Sequence, residues 1–264
     1  MKKIFLYMVF SLLLFAKVHY AKVEPYESVT LKSAVSGLVL DVDLDAEGRM
    51  IEKKRIIHLD DQLDKVNLDS AKKSILFLKE MLGINEEIAS SLAETVKRQE
   101  SYYHRISKLS TASKTQKDNA YSAFASAKTQ YLGIHEKIVS LKKQILDMQY
   151  KVAQLEDTIR KKSIILKKKY LYKLLVREGD FVGVGTPLAR VDDASRAKLV
   201  LFLEPEELKD VKQRRVYLND KETQYKINKV WRVADEKFIS SYRAEIYIPA
   251  PEEHFSQLIK VELK

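Results

Sequence analysis

Residues 68–106 read LDSAKKSILFLKEMLGINEEIASSLAETVKRQESYYHRI, and their apolar spacing decides the fold. Leu68, Ala71, Ile75, Leu78, Leu82, Asn85, Ala89, Leu92, Val96, Gln99, Tyr103 and Ile106 recur at alternating steps of three and four. Only Asn85 and Gln99 are polar. A second seam keeps the same alternation without a polar member: Ala120, Phe124, Ala127, Tyr131, Ile134, Ile138, Leu141, Ile145, Met148, Val152, Leu155 and Ile159. A period of 3.5 sustained over about five heptads is the signature of a coiled coil. Nothing breaks it. No proline lies between Pro25 and Pro187, and only Gly83 and Gly133 interrupt the chain from Arg49 to Glu178. Each interior glycine costs about 1 kcal/mol relative to alanine. Each large aliphatic side chain that the seams bury returns about 1.5–3 kcal/mol.

The two seams mirror each other. Ile75 matches Met148, Leu82 matches Leu141, Leu92 matches Tyr131 and Val96 matches Ala127, about a point between Thr111 and Ala112. The tract Ser110-Thr111-Ala112-Ser113 at that point is small, polar and poor in helix formers. Ser113 followed by Gln116 fits a capping box that starts the second helix. An antiparallel helical hairpin over residues 62–165, with its tip at 110–113, is therefore expected. Forty-odd residues rising 1.5 Å each make a rod of roughly 65 Å. Such a rod offers reach and has little room for an active-site pocket. The alternative is that both seams bind another chain.

Outward from the hairpin, the flanks carry one motif twice. Ser36–Asp61 reads SGLVLDVDLDAEGRMIEKKRIIHLDD and Tyr170–Asp193 reads YLYKLLVREGDFVGVGTPLARVDD. Each has hydrophobic alternation, then Glu-Gly (Glu47-Gly48, Glu178-Gly179). Each then has an aliphatic three residues on (Ile51, Val182) and ends in Asp-Asp. Alternation followed by a glycine turn reads as short strands and hairpins. Gly37, Gly48, Gly179 and Gly185 are the expected turn positions. Two half-motifs around a helical hairpin predict one small β domain split by an insertion, with residues 22–61 and 166–194 as its halves.

The phrase REGDFVGVGTPLARVDD resembles the second half of the lipoyl-type domain of HlyD-like membrane fusion proteins, the periplasmic adaptors of tripartite efflux and secretion systems. VSGLVLDV with its Glu-Gly turn and HLDD resembles the first half. The order of parts agrees over roughly residues 23–264. Lys54 stands where a second glycine is common, and Ile164–Lys169 replaces the usual Ala-Pro-x-x-Gly entry to the second half. The resemblance implies an elongated, multi-domain α+β fold: a split lipoyl-like β-sandwich, the inserted coiled-coil hairpin, and a β-barrel over residues 195–264. It implies partners: an inner-membrane transporter of RND, ABC or MFS type, a TolC-like outer-membrane channel, and further copies of the chain in a ring. It also implies that the tip meets the channel through an Arg, a Leu and a Ser, which Arg105, Leu109 and Ser113 match in type. Three residues separate this Leu and Ser where the pattern has about six. Read without the resemblance, Arg105 is a solvated helical residue, Leu109 closes the seam and Ser113 is an N-cap.

In the C-terminal segment, Leu199–Leu203, Arg215–Asn219, Gln224–Val233, Arg243–Pro249 and Gln257–Leu263 read as strands by β-branched and aromatic content. Residues 204–211 read as a short helix with acids in its first turn. Trp231 is expected in the barrel core.

Composition bounds the rest. The chain has 264 residues, a net charge of +10 and no cysteine. Disulfides, thiolate metal sites and thiol catalysis are thereby excluded. Residues 1–21, MKKIFLYMVFSLLLFAKVHYA, pair Lys2 and Lys3 with a charge-free run from Ile4 to Ala16. Thirteen residues are short of the roughly 20 that span a bilayer. A signal peptide cleaved after Ala16 or Ala21 is expected, with a short retained anchor as the alternative. His19, His58, His104, His135 and His254 show no metal-ligand spacing. Asp60, Asp61 and Asp64 read as acids charging the start of the first helix. No phosphate loop or nucleophile elbow occurs. No catalytic residue, metal or cofactor is expected. The chain reads as a non-catalytic periplasmic adaptor, with a coiled-coil structural or interaction protein of the cell envelope as the alternative.

Overall fold

The computed structural model describes residues 17–251 and 254–264. The expected leader therefore lies outside the described residues as far as Ala16. Two long helices dominate, α1 (Gln62–Lys108) and α2 (Lys114–Lys162), and they pack along their length as an antiparallel hairpin. Every member of both apolar seams is buried or half-buried. Cross-helix partners descend in one number as they ascend in the other. Tyr103 stacks near Tyr121 and Phe124, Lys142 reaches Glu86 at 3.1 Å, and Lys72 reaches Glu156 at 2.8 Å. Asn85 is buried in the seam and donates from Nδ2 to the Met81 carbonyl at 2.6 Å.

The sheets lie at the open end of the hairpin. Strand β1 is Val18–Lys32, β2 Gly37–Val42 and β3 Arg49–Leu59. After the helices come β4 (Ser163–Leu174), β5 (Phe181–Val182) and β6 (Pro187–Leu203). Strand β4 thus begins within the span expected to be helical. The first unit orders these strands β5-β2-β3-β4-β6-β1. Val39, Ile51, Ile57, Leu59, Leu171, Leu174, Val182, Leu188 and others form its core, to which both halves contribute.

The repeated motif closes on itself. The Gly48 N–H donates to the Leu171 carbonyl at 2.8 Å, and the Gly179 N–H donates to the Val39 carbonyl at 2.9 Å. Each Glu-Gly turn is thus tied to a strand of the other half. Both glycines have positive φ, +73° and +89°, where a side chain would be strained. Gly185 is a third positive-φ turn. Gly37 starts β2 opposite Val182 and lies against Leu59.

The second unit is built on β1 and β6 continued past the first, plus β7 (Val216–Leu218), β8 (Lys221–Glu222), β9 (Ile227–Val230), β10 (Tyr242–Pro249) and β11 (Leu258–Leu263). It has its own core, including Val23, Leu199, Leu201, Leu203, Val216, Ile246 and Val261. The expected barrel is not closed. The ladder runs β9-β10-β6-β1-β11-β7-β8. Its two end strands are two and four residues long and largely exposed, with charges at Lys221, Glu222 and Lys229, features that oppose further pairing. The expected helix at 204–211 is a single 3-10 turn, Pro205–Leu208. Trp231 is half-exposed, outside the core, with Lys229 Nζ 4.2 Å and the Arg243 guanidinium 5.0 Å from its ring.

Strand β1 joins both units. Val18–Lys22 pair with β11, and Lys22–Lys32 pair with β6. Residues 18–21 of the expected leader are therefore part of a ladder, and Ala21 is fully buried. Pro25, which lacks an N–H, sits where the register shifts between Pro25 and Glu27.

The Asp-Asp end of the second half-motif is a polar clasp. Asp193 accepts from Ser195 Oγ at 2.6 Å and from Lys169 Nζ at 3.0 Å. These bonds draw its pKa down to about 2. A depressed carboxylate contributes stability above the ordinary range near 4, and that contribution disappears as pH falls toward its folded value. Asp193→Asn is expected to lower the thermal midpoint at neutral pH. The gap to the parent should narrow below about pH 4 and close near pH 2, as scanning calorimetry across pH would record.

Candidate functional site

Two places on the hairpin are distinguished by geometry, its root and its tip. At the root, β3 and β4 pair from Arg49↔Leu171 to His58↔Ser163 and then run directly into the helices. His58 Nδ1 and Ser163 Oγ are 3.3 Å apart. His58 Nε2 lies 3.5 Å from the buried Asp61, which Lys65 also meets at 2.9 Å. Lys162 Nζ bonds Asp64 across the helices at 2.5 Å. Asp61 is the N-cap of α1 and Asp64 lies in its first turn, where carboxylates complement the helix dipole. Lys161 and Lys162 occupy the last turn of α2 with the opposite sign.

At the tip, α1 ends at Lys108, Leu109 is its C-cap, and five residues later α2 begins. Leu109 is about half exposed. Arg105 is exposed and lines a shallow groove with Thr95, Arg98 and Tyr102. Ser113 is the N-cap of α2 and forms the capping box. The Gln116 N–H donates to Ser113 Oγ at 3.2 Å, and the Ser113 N–H donates to Gln116 Oε1 at 2.8 Å. Arg105 and Leu109 are thus free-standing at the end of the rod, whereas Ser113 is already engaged in starting a helix. The surface is basic: Arg98, Arg105, Lys108, Lys114 and Lys117 outnumber Glu100 and Asp118. Tyr103, Tyr121 and Phe124 pack beneath, with ring centroids 5.5 and 6.1 Å from Tyr103, and brace the terminal turns.

Among the described residues no three His, Cys, Asp or Glu side chains group as a metal site. None of the described helices is long and apolar enough to cross a membrane.

One signal outside the expected residues is an exposed apolar pattern beside the seams. On α1, Phe77, Met81, Ile84 and Ile88 stand exposed at steps of four, three and four. On α2, Leu132, Val139 and Leu146 stand exposed at every seventh position. Val139 lies on the flank where Lys142 meets Glu86. By heptad geometry the α1 stripe lies on the other flank. The periodicity is readable in the sequence once the seam positions are subtracted.

This architecture is the membrane fusion protein fold: a helical hairpin inserted into a split β unit and followed by a second β unit. The crystal structure of MacA from Actinobacillus actinomycetemcomitans matches it with a TM-score of 0.75 at 14% identity, over 94% of this chain and 78% of that one. A MacA–MexA chimera carrying the Pseudomonas aeruginosa MexA α-hairpin matches at 0.63 and 17% identity, again over 94% and 78%. The membrane fusion protein Spr0693 from Streptococcus pneumoniae R6 matches at 0.64 and 9% identity, over 93% and 99%. No family profile matches the sequence, and no curated protein matches it.

The cap has a measurable local effect. Ser113→Ala is expected to cost about 1 kcal/mol at the helix start. In hydrogen exchange, the amides of Thr115 and Gln116 should exchange about fivefold faster, with the β units unchanged.

Proposed function

We propose that the chain is a non-catalytic periplasmic adaptor, linking an inner-membrane transporter of RND, ABC or MFS type to a TolC-like outer-membrane channel. The observation that carries this reading is the order and geometry of the parts. A long hairpin stands on a β unit whose two halves it separates, and its free end presents Arg105 and Leu109 on a basic surface. The resemblance of the flanking motifs to HlyD-like proteins supports the same reading. Arg105 and Leu109 are the proposed channel contacts, and Ser113 shapes the turn that presents them. The β units face the transporter, which supplies the energy. In this reading the lipoyl-type unit comprises residues 22–61 and 166–194 and the C-terminal unit residues 195–264, with β1 shared between them.

Export to the periplasm is part of the proposal. Cleavage after Ala21 would remove Val18–Ala21 from the ladder with β11. Cleavage after Ala16, or retention of the apolar run, leaves that ladder whole.

Copies of the chain pack side by side. The apolar stripes on opposite flanks of the hairpin support this. Two different surfaces meeting make a head-to-tail contact, and such contacts close into a ring when the rotation allows it. Ile84→Glu combined with Val139→Glu is expected to shift the protein to smaller species in sedimentation velocity while helicity stays at the parental level. An unchanged sedimentation profile would remove these stripes as the contact.

The tip decides between a transport adaptor and an envelope interaction protein. Arg105→Asp and Leu109→Asp are each expected to abolish export in cells while abundance and melting temperature stay at parental values. Crosslinking from position 109 should recover an outer-membrane channel. Unchanged export, with another coiled coil recovered instead, would favour the interaction protein.

A further inference from the structure

Strand β6 runs from the lipoyl-type unit into the second unit and ends at Leu203, which pairs with Tyr242. The chain between β9 and β10, residues 231–241, WRVADEKFISS, stands at that far end. It is ordered by its own hydrogen bonds. Asp235 Oδ1 accepts from the N–H groups of Lys237 and Phe238 at 2.9 and 3.1 Å, and the Asp235 N–H donates to the Ser241 carbonyl at 2.9 Å. The Phe238 ring rests on Phe202, 4.3 Å between centroids. This ordered loop nevertheless presents Val233 and Ile239 at 77% and 84% exposure, with Phe238 at 44%.

The first described residues also lie at this end. Lys17, the first described residue, pairs with Glu204, and His19 Nε2 lies 2.7 Å from Glu207. Glu204 in turn lines one shallow depression with Ala234, Ile239 and Tyr242. In the sequence, the charge-free run Ile4–Ala16 immediately precedes Lys17. Around the loop, Lys229 and Arg243 flank Trp231, Lys237 Nζ lies 5.7 Å from the Phe238 ring, and Arg232 is exposed. The nearby acids are Asp235, engaged within the loop, Glu236, Glu245, which accepts from Arg243 at 2.9 Å, and Glu204, Glu206 and Glu207 at the 3-10 turn.

We propose that the loop of residues 231–241 dips into a phospholipid surface, with Val233, Phe238 and Ile239 in the acyl boundary and Trp231, Lys229, Arg232 and Lys237 among the headgroups. Aromatic rings beside flexible cations suit the interface, where one part of a side chain is dry and the other wet. Three exposed apolar side chains make too small a patch for a stable protein interface, which buries about 800 Å² per partner. They are enough to hold a surface loosely at a lipid boundary when cations beside them meet anionic headgroups. The proposal goes beyond the adaptor reading and needs neither transporter nor channel.

Trp231 is the only tryptophan in the chain, so the unmodified protein reports on this loop. The full chain would be reconstituted into vesicles of phosphatidylethanolamine and phosphatidylglycerol, with and without brominated phosphatidylcholine. Tryptophan emission is expected to fall about twofold with the brominated lipid. Val233→Glu with Ile239→Glu, both at exposed positions, should keep the melting temperature and lose most of that quenching. The apolar run at residues 4–16 is the same in both proteins, so a difference between them belongs to the loop. Unquenched emission in the parent would overturn the proposal, whether the loop meets a protein or only solvent. Equal quenching in parent and variant would overturn it as well. In either case the adaptor reading is untouched.

Discussion

The antiparallel ladder between β3 and β4 is the constraint on which the rest depends. It pairs residues on either side of about a hundred residues of helix, from Arg49↔Leu171 to His58↔Ser163. Without it the two half-motifs belong to distant parts of the chain. With it, His58 and Ser163, the last paired residues before the helices, are held a strand spacing apart, roughly 5 Å, and two helices leaving such a pair side by side must run antiparallel. The closing of a long loop costs entropy that grows only with the logarithm of its length. Seams with two dozen buried or half-buried members offset it many times over. The hairpin and the split sheet therefore stabilise each other: the helices bring the halves together, and the halves set the helices in register.

A second pair of strands extends the construction. Strands β1 and β6 each pass through both β units, so no flexible linker separates them. One ladder, from Lys22↔Val200 to Lys32↔Pro187, carries both cores, with a register shift at Pro25 and Glu27 as its only break near the junction. The bulge lets the strand bend where the two cores part. The result is two cores carried on one continuous pair of strands.

Much of this was legible in the sequence because its causes are local. A heptad seam needs only the spacing of apolar residues along one segment, and a Glu-Gly turn needs only its own φ angle. The capping box at Ser113 and Gln116 is likewise written within four residues. What was not legible depends on distant partners. Strand β1 contains Pro25 and many charges, and its pairing lies some 170 residues away on β6 and further on β11. The strand-like content at 195–264 corresponds to β7–β11 and the end of β6, but closure of a barrel depends on whether its end strands meet, and β8 and β9 are too short and too polar for that. Trp231, expected in the barrel core, instead lies half-exposed with Lys229 and Arg243 beside its ring. At the tip, the residue types of Arg105, Leu109 and Ser113 were readable. Their different situations were not, because whether a serine is free or committed to a cap depends on the geometry of the turn.

The root suggests how such a molecule transmits motion. Helix α2 ends at Lys162 and β4 begins at Ser163, with no loop between them. On the other side only Asp60 and Asp61 separate β3 from α1, and Asp61 is fixed by His58 and Lys65. A joint without slack makes the hairpin a lever. At 1.5 Å per residue, each helix is roughly 70 Å long, so a tilt of about 5° in the sheet moves the tip by about 6 Å. That displacement is comparable to one helical turn, the step by which packed helices change partners. In the proposed adaptor, a small rotation of the β units against a transporter would therefore reach the far end as a contact made or broken, with the stiffness of the two seams deciding how little is lost along the way.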